Sequence, residues 1–261
     1  MFLRDILTKN CVVTQQELIA DPALLEDVQA RLVVWGLYPK HQVDGRFGRL
    51  TEGALINFCN RVHLNSAASK RYGASFATAL LGKPTELITG SQAAAIFGRL
   101  PSPDQMADLN RCLVTFEINT PARMQMFASQ ICHESCCLRY CLELASGAAY
   151  EGRKDLGNIY KNDGIKFKGA GWIQVTGRHW HTLFSKFIGD PKVVELGSTY
   201  TSKVYPASIS GFWWRENNLN SFIDKGATIE QVSARVNGIH PANGLSDRKK
   251  YHAIACKVIP G

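Results

Sequence analysis

The chain has 261 residues, 45% of them hydrophobic and 20% charged, with 30 Lys and Arg against 22 Asp and Glu for a formal charge of +8. That balance excludes an intrinsically disordered chain, and 22 Gly with 10 Pro exclude collagen-like and low-complexity architectures. The length allows one or two domains. The densest apolar stretch, Leu32 to Tyr38, is broken by Gly36 and falls short of the roughly 18 residues of a membrane span. Met1 to Asn10 carries Arg4, Asp5 and Lys9 among its apolar residues, so it lacks the core of a secretory signal, and synthesis in the cytoplasm without a leader is expected. The basic excess favours polyanionic partners. With no run of five or six Lys or Arg, no zinc-finger spacing and no RNA-recognition aromatics, nucleic acid is not expected among them.

The first helical pattern runs from Pro22 to Trp35, where Leu25, Val28, Leu32 and Trp35 recur at helical spacing and Gly36 ends the run. Gln42-Val43-Asp44-Gly45-Arg46-Phe47-Gly48 has the composition of a turn. Thr51 is then placed to cap a second helix, with Ala54, Leu55, Phe58, Cys59 and Val62 on its apolar face. Gly36-Leu37-Tyr38, Val43 through Gly48, and Thr51-Glu52-Gly53-Ala54-Leu55 through Phe58, taken in order, resemble the peptidoglycan-binding domain of wall hydrolases. The resemblance implies Asp44, Gly45, Phe47 and Thr51 as the wall-binding residues. A helical hairpin whose Asp-Gly turn is purely structural is the alternative, and Cys59 stands where that family carries Gln.

Periodicity lapses from Asn65 to Lys70, and Gly82-Lys83-Pro84 breaks the chain, which draws the domains as 1–84 and 85–261. Thr89-Gly90-Ser91-Gln92 opens another helix. Met106, Leu109, Leu113 and Phe116 form a stripe between Pro103 and Ile118, and Thr120-Pro121 supplies an N-cap followed by proline at the first helical position. In the helix that follows, Met124, Phe127, Ala128 and Ile131 share a face that continues to Glu134. A carboxyl ending an apolar stripe is expected to be sheltered and to keep its proton near neutral pH, as a general acid must.

Glu143 lies just before the small-residue loop Ala145 to Ala149, a more solvated setting, with Glu151, Asp155 and Asp163 as competitors for a second, ionised role. Two carboxyls in different environments are what glycosidic bond cleavage requires. Trp172 to Thr176 alternates, so a strand is expected to project Trp172, Gln174 and Thr176 to one polar and aromatic face. Lys168-Gly169-Ala170-Gly171 lacks the ending and the strand-to-helix setting of a phosphate loop, which excludes nucleotide binding. Phe212-Trp213-Trp214 reads as core, ahead of Asn237-Gly238 and Asp247-Arg248.

The eight cysteines are Cys11, Cys59, Cys112, Cys132, Cys136, Cys137, Cys141 and Cys256. Without a leader, reduced thiols are expected. The Cys132, Cys136, Cys137 and Cys141 cluster has i,i+4 pairs able to offer thiolates to a metal, with His133 beside them, but burial as small hydrophobes inside a helical domain is the favoured reading.

From about Leu87 onward several segments occur in a telling order: Ile118 to Arg123, Gln130-Ile131-Cys132-His133-Glu134-Ser135, Tyr150 to Asn158, Phe167-Lys168-Gly169, Ile173-Gln174-Val175-Thr176-Gly177-Arg178, Asn237-Gly238 and Asp247-Arg248. Together they resemble glycoside hydrolase family 19, the fold of plant-type chitinases and of many bacteriophage endolysins. The resemblance implies a mainly α, lysozyme-like catalytic domain with a small β element. It implies Glu134 as general acid, Glu143 as the base that activates water, and Thr176 as a hydroxyl holding that water. Gln174, Asn237 and Arg248 would line sugar subsites, with Tyr150 and Arg153 near the cleft, and the anomeric centre would be inverted across carboxyls about 6.5–9.5 Å apart. Departures are Ala170 for the usual Arg, Cys136 and Cys137 for small residues, and Trp180 where relatives carry Asn; its indole either stacks on a sugar or fills the core.

The expectation is a monomeric, two-domain wall hydrolase that acts at the bacterial cell wall, cleaving β-1,4 bonds of peptidoglycan with no metal, no cofactor and no membrane span. Chitin is the alternative substrate. A non-catalytic wall-binding protein is the alternative from another class, and a metal-dependent hydrolase built on the Cys/His cluster a third.

Overall fold

A computed structural model describes residues 1–62, 64–82 and 86–260, and the chain divides into two units, Met1–Glu86 and Leu87–Gly261. The boundary expected at Pro84 lies outside the described residues.

Unit 1 is built from α1 (Leu3–Thr8), α2 (Gln15–Ala20), α3 (Pro22–Val34), α4 (Arg49–Arg61), α5 (Ser66–Ser69) and α6 (Ala74–Leu81). Two short antiparallel strands, β1 (Val13–Thr14) and β2 (Arg71–Tyr72), pair Val13 with Tyr72 and Thr14 with Arg71. The helix α3 begins where Asp21 caps it and Pro22 occupies its first position, and its apolar stripe Leu25, Val28 and Leu32 is fully buried. The short α5 occupies the stretch where irregular chain was expected.

A polar knot sits inside this unit. The buried Gln29 amide nitrogen donates to Tyr38 Oη and to the Arg46 carbonyl, both at 3.0 Å, and its oxygen accepts from the backbone N–H groups of Asp44 and Gly45, both at 2.9 Å. Buried polar groups persist only when hydrogen-bonded in this way. Gly45 has φ +65°, and a Cβ there would lie 2.9 Å from the Pro22 carbonyl oxygen, so the turn admits glycine alone. Thr51 does not cap α4. Gly48 holds that position, while Thr51 is buried within the helix with its hydroxyl 3.1 Å from Tyr38 Oη and 3.2 Å from the Gln29 nitrogen. The knot needed a small hydroxyl inside, and that need overrode capping.

Unit 2 comprises α7 (Gly90–Phe97), α8 (Pro103–Thr115), α9 (Pro121–Glu134), α10 (Asp163–Lys166), α11 (Arg178–Ile188), α12 (Lys192–Glu195), α13 (Gly197–Val204), α14 (Pro206–Glu216), α15 (Leu219–Asp224), α16 (Ile229–Asn237) and α17 (Leu245–Val258). This is the mainly helical, lysozyme-like architecture expected. Its centre is α9, which packs along α17, while α8 packs on α14. Phe127, Ile131, Trp172, Phe184, Tyr205 and Trp214 form the heart of the core. Asp108 joins α8 to α14: its buried carboxylate accepts from the Ala207 and Ser208 N–H groups at 2.7 and 3.1 Å and pairs with Arg111 at 2.6 Å. It thereby satisfies orphan donors at the start of α14. The helix expected to reach Ile118 stops at Thr115, because Glu117 adopts a left-handed φ of +55° and Ile118 N–H turns back to the Leu113 carbonyl.

The strand expected over Trp172–Thr176 is absent. Ala170 makes single-residue antiparallel bridges with Leu142 and with Val175, and the chain between 170 and 175 is a tight turn with Gly171 and Gln174 at φ +74° and +60°. Positive φ at those two positions breaks the two-residue alternation, so Trp172 points into the core, fully buried, with its indole N–H 3.2 Å from Cys141 Sγ. Nor are all thiols reduced: Cys132 and Cys137 form a disulfide. The two Cα atoms are 3.8 Å apart because the chain reverses immediately after α9, a reversal that cysteine spacing alone does not reveal.

Candidate active site

The local sequence delivers Glu134 as anticipated. Thr120 Oγ1 accepts from Arg123 N–H and Pro121 starts α9, whose buried Met124, Phe127, Ala128 and Ile131 set the face on which Glu134, the final residue, lies. Its surroundings differ from expectation. The Glu134 side chain is 21% exposed, and its Oε1 accepts from Arg248 Nη2 of α17, whose side chain is 1% exposed. A carboxyl ending an apolar stripe is tolerated when a partner compensates the loss of water, and Arg248 is that partner. Glu134 is therefore not sheltered by hydrocarbon alone, and Arg248, expected beside a sugar subsite, is placed against this carboxyl.

All three nitrogens of the Arg248 guanidinium are engaged. It also donates to Gln130 Oε1 and, from Nε, to the Asn243 carbonyl at 3.0 Å. Asn237, at the end of α16, accepts from Asn243 N–H at 2.8 Å, so it shapes the loop that Arg248 grips. Among the described residues Oε2 of Glu134 has no hydrogen-bond partner. His133 lies 3.9 Å from Asp247, and burial, with Arg248 nearby, holds its imidazole below the usual pKa.

After Glu134 the chain makes a left-handed turn. Cys136, Cys137 and Leu138 have φ of +49°, +54° and +64°, a geometry that costs about 1–2 kcal/mol per residue carrying a Cβ. Ser135 Oγ accepts from Leu138 N–H at 2.7 Å, and Tyr140 N–H returns to the Ser135 carbonyl at 2.9 Å. The turn leads to Glu143, which the backbone holds firmly: its N–H donates to the Gly169 carbonyl at 2.9 Å, and its Oε2 accepts from Gly169 N–H at 2.8 Å.

Tyr150 Oη donates to the other oxygen, Oε1, at 3.0 Å. Partial burial and the adjoining carboxylate raise the Tyr150 pKa, which keeps that donor protonated. Asn158 in turn fixes Tyr150 by donating to its carbonyl at 2.9 Å. A Cβ on Gly169 would lie 2.6 Å from Gln174 Oε1 and 3.1 Å from Glu143 Oε2, so both side chains crowd one glycine. Thr176 Oγ1 donates to the Gln174 carbonyl at 3.0 Å.

Glu143, Tyr150, Gln174 and Thr176 thus form one group and Glu134, Arg248 and Asn237 another, joined through the segment 135–142. Trp172 is core. Arg153 is exposed and pairs with Asp155. The rivals for the second carboxyl have structural partners: Glu151 accepts from Asn162 and Gly164 N–H, and Asp163 is buried against Arg178 at 2.6 Å. Trp180 packs half-buried against the core. In unit 1, Asp44, Gly45 and Thr51 are spent on the Gln29 knot, and Phe47 packs against the unit's core. Among the described residues there is no His, Cys, Asp and Glu group able to hold a metal, and no helix is long and apolar enough to cross a membrane.

Sequence reasoning missed Gly169, Gln130, and the pair His181 and Ser198. Ser198 Oγ donates to the Lys168 carbonyl at 2.6 Å and touches His181 Nε2 at 3.1 Å, bracing the peptide that clamps Glu143. Burial pushes the His181 pKa down to about 4. The glycine before Ala170 was the one local signal available.

The fold is shared with family 19 chitinases. Chitinase C from Streptomyces griseus superimposes with a TM-score of 0.55 at 14% identity, covering 68% of this chain and 95% of that one. A point mutant of chitinase C gives 0.54 at 16% identity, covering 69% and 79%. In sequence, a glycosyl hydrolase family 19 domain-containing protein of Haemophilus influenzae is 29% identical over 114 residues, 43% of this chain and 52% of that protein. The chain thus spans about half the length of this curated relative. No family model matches.

Proposed function

We propose that unit 2 is a glycoside hydrolase cleaving β-1,4 bonds between amino sugars, with peptidoglycan as its substrate, and that the chain works as a wall hydrolase at the bacterial cell wall. The observation that carries this reading is the unequal treatment of two carboxyls. Glu143 has a donor on each oxygen, from Tyr150 and Gly169, whereas Glu134 has Arg248 on Oε1 alone.

In this mechanism Glu134 delivers a proton to the leaving glycosidic oxygen through Oε2, the oxygen that Arg248 does not engage. Glu143, held by donors from Tyr150 and Gly169, takes a proton from the attacking water on the opposite face of the sugar. Thr176 steadies that water, and inversion of the anomeric centre follows. The overall charge of +8 suits an acidic wall polymer. Unit 1, whose sequence resembles a peptidoglycan-binding domain, is proposed as the part that keeps a monomeric chain on its substrate.

Glu134→Gln and Glu143→Gln should each lower turnover on purified peptidoglycan by at least about 100-fold while sedimentation with wall fragments persists. Wild-type rates in either variant would refute the assignment. The likeness to chitinase C favours a second reading, hydrolysis of chitin. Mass spectrometry of fragments released from peptidoglycan and from chitin separates the two, and cleavage of chitin alone would reverse the order.

A further inference from the structure

The segment joining the two carboxyls contains a run that only strong constraints sustain. Three consecutive residues with side chains, Cys136, Cys137 and Leu138, are left-handed. Hydrogen bonds through Ser135 hold one side of this turn. The other constraint is covalent: the Cys132–Cys137 disulfide ties the middle of the run to the last turn of α9. Cys132 is fully buried in the core, so the anchor is rigid, and the bridge brackets Glu134. Beyond the turn the chain passes Cys141, whose carbonyl accepts from Gly171 N–H at 2.8 Å, and arrives at the Gly169 clamp on Glu143.

We propose that the Cys132–Cys137 disulfide is a positioning cross-link for the carboxyl pair, so that the chain turns over glycan efficiently only while this pair is oxidised. The proposal rests on the reading of Glu134 and Glu143 as the reacting groups. With dithiothreitol as reductant, two electrons and two protons pass from its thiols to the cystine. The S–S bond breaks, two cysteine thiols form, and the reagent closes to its cyclic disulfide. Freed of the bridge, the left-handed run relaxes and shifts the carboxyls relative to each other. A displacement of about 1 Å in a catalytic constellation is worth on the order of 100-fold in rate. A wall hydrolase built this way is restrained in a reducing compartment and competent in an oxidising one.

The test compares the full chain, oxidised and reduced, after alkylation and intact-mass measurement to count thiols. The readouts are kcat and KM on soluble peptidoglycan fragments and amide hydrogen exchange across 135–143. Reduction should lower kcat about tenfold or more, leave KM within about twofold, speed exchange in that segment alone, and reverse on reoxidation. The double variant Cys132→Ser, Cys137→Ser should match the reduced protein and ignore dithiothreitol, whereas Cys136→Ser, at the neighbouring exposed thiol, should behave as wild type. If the double variant does not fold, reversible reduction of the wild type makes the same comparison. Unchanged kcat and exchange after verified reduction, or eight alkylatable thiols in protein never reduced, would overturn the proposal. An oxidised wild type that binds glycan without cleaving it overturns the catalytic reading alone, because the exchange comparison still decides whether the bridge holds the turn.

Discussion

Arg248 donates from Nη2 to Glu134 Oε1 from a side chain that is 1% exposed, so a buried cation on α17 meets the carboxyl that ends α9. The pair is a strut between two packed helices as well as part of the site. Removing one partner from such a pair leaves a buried charge uncompensated, at a cost of about 3–5 kcal/mol.

Arg248→Met, which strips Glu134, Gln130 and the Asn243 carbonyl of their shared donor, is expected to lower the melting temperature by roughly 10 °C and to abolish measurable turnover, while Glu134→Gln, which keeps an oxygen for the guanidinium, should lose turnover with a much smaller thermal shift. Calorimetry beside a hydrolysis assay checks both. Equal melting losses in the two variants would show that Arg248 needs the charge of Glu134 and not merely an acceptor oxygen.

Gly169→Ala is expected to harm catalysis more than stability. The added methyl meets Gln174 Oε1 and Glu143 Oε2 rather than the core, so it displaces functional side chains. A kcat decrease of about 100-fold with a melting change of only a few degrees is the outcome to look for.

Tyr150→Phe deletes the donor to Glu143 Oε1 and nothing else of comparable strength. Hydrogen bonds to charged groups contribute about 1.5–3 kcal/mol, so kcat should fall about ten- to hundredfold with the fold intact by circular dichroism. An undiminished kcat would remove Tyr150 from the site.

Stability should fall with acid through His181. Its folded pKa, about 4, lies below the unfolded value of about 6.5, so the unfolded chain binds a proton first as pH drops. Nothing is lost above pH 6.5. Between pH 6.5 and 4 the penalty accumulates to roughly 3 kcal/mol, and below pH 4 it levels off. Glu230, partly exposed and held to about 2 by its hydrogen bond from Lys249, contributes its own loss as pH falls below about 4.5. Thermal melts from pH 7.5 to 4.5 should slope downward in the wild type and run flatter in His181→Gln.

Helical positions were legible wherever a local rule acted unopposed. Pro22, Thr89 with Gln92, Pro103 and Thr120-Pro121 start helices as read, because such starts depend on residues within one turn. The reading of Trp172–Thr176 failed because alternation presumes negative φ throughout, and Gly171 and Gln174 do not comply. Thr51 misled in a similar way, since a distant buried glutamine claimed its hydroxyl.

The sequence by itself determined that Glu134 ends the buried face of a helix, since that follows from a 3.6-residue period, and that Glu143 lies in a separate segment shortly after it. Only the tertiary structure decided what each carboxyl meets. Arg248 reaches Glu134 from 114 residues away, Gly169 grips Glu143 from 26 away, and the bridge from Cys132 to Cys137 depends on a chain reversal. Such contacts arise where helices pack and turns close, and no local periodicity encodes the packing that brings them together.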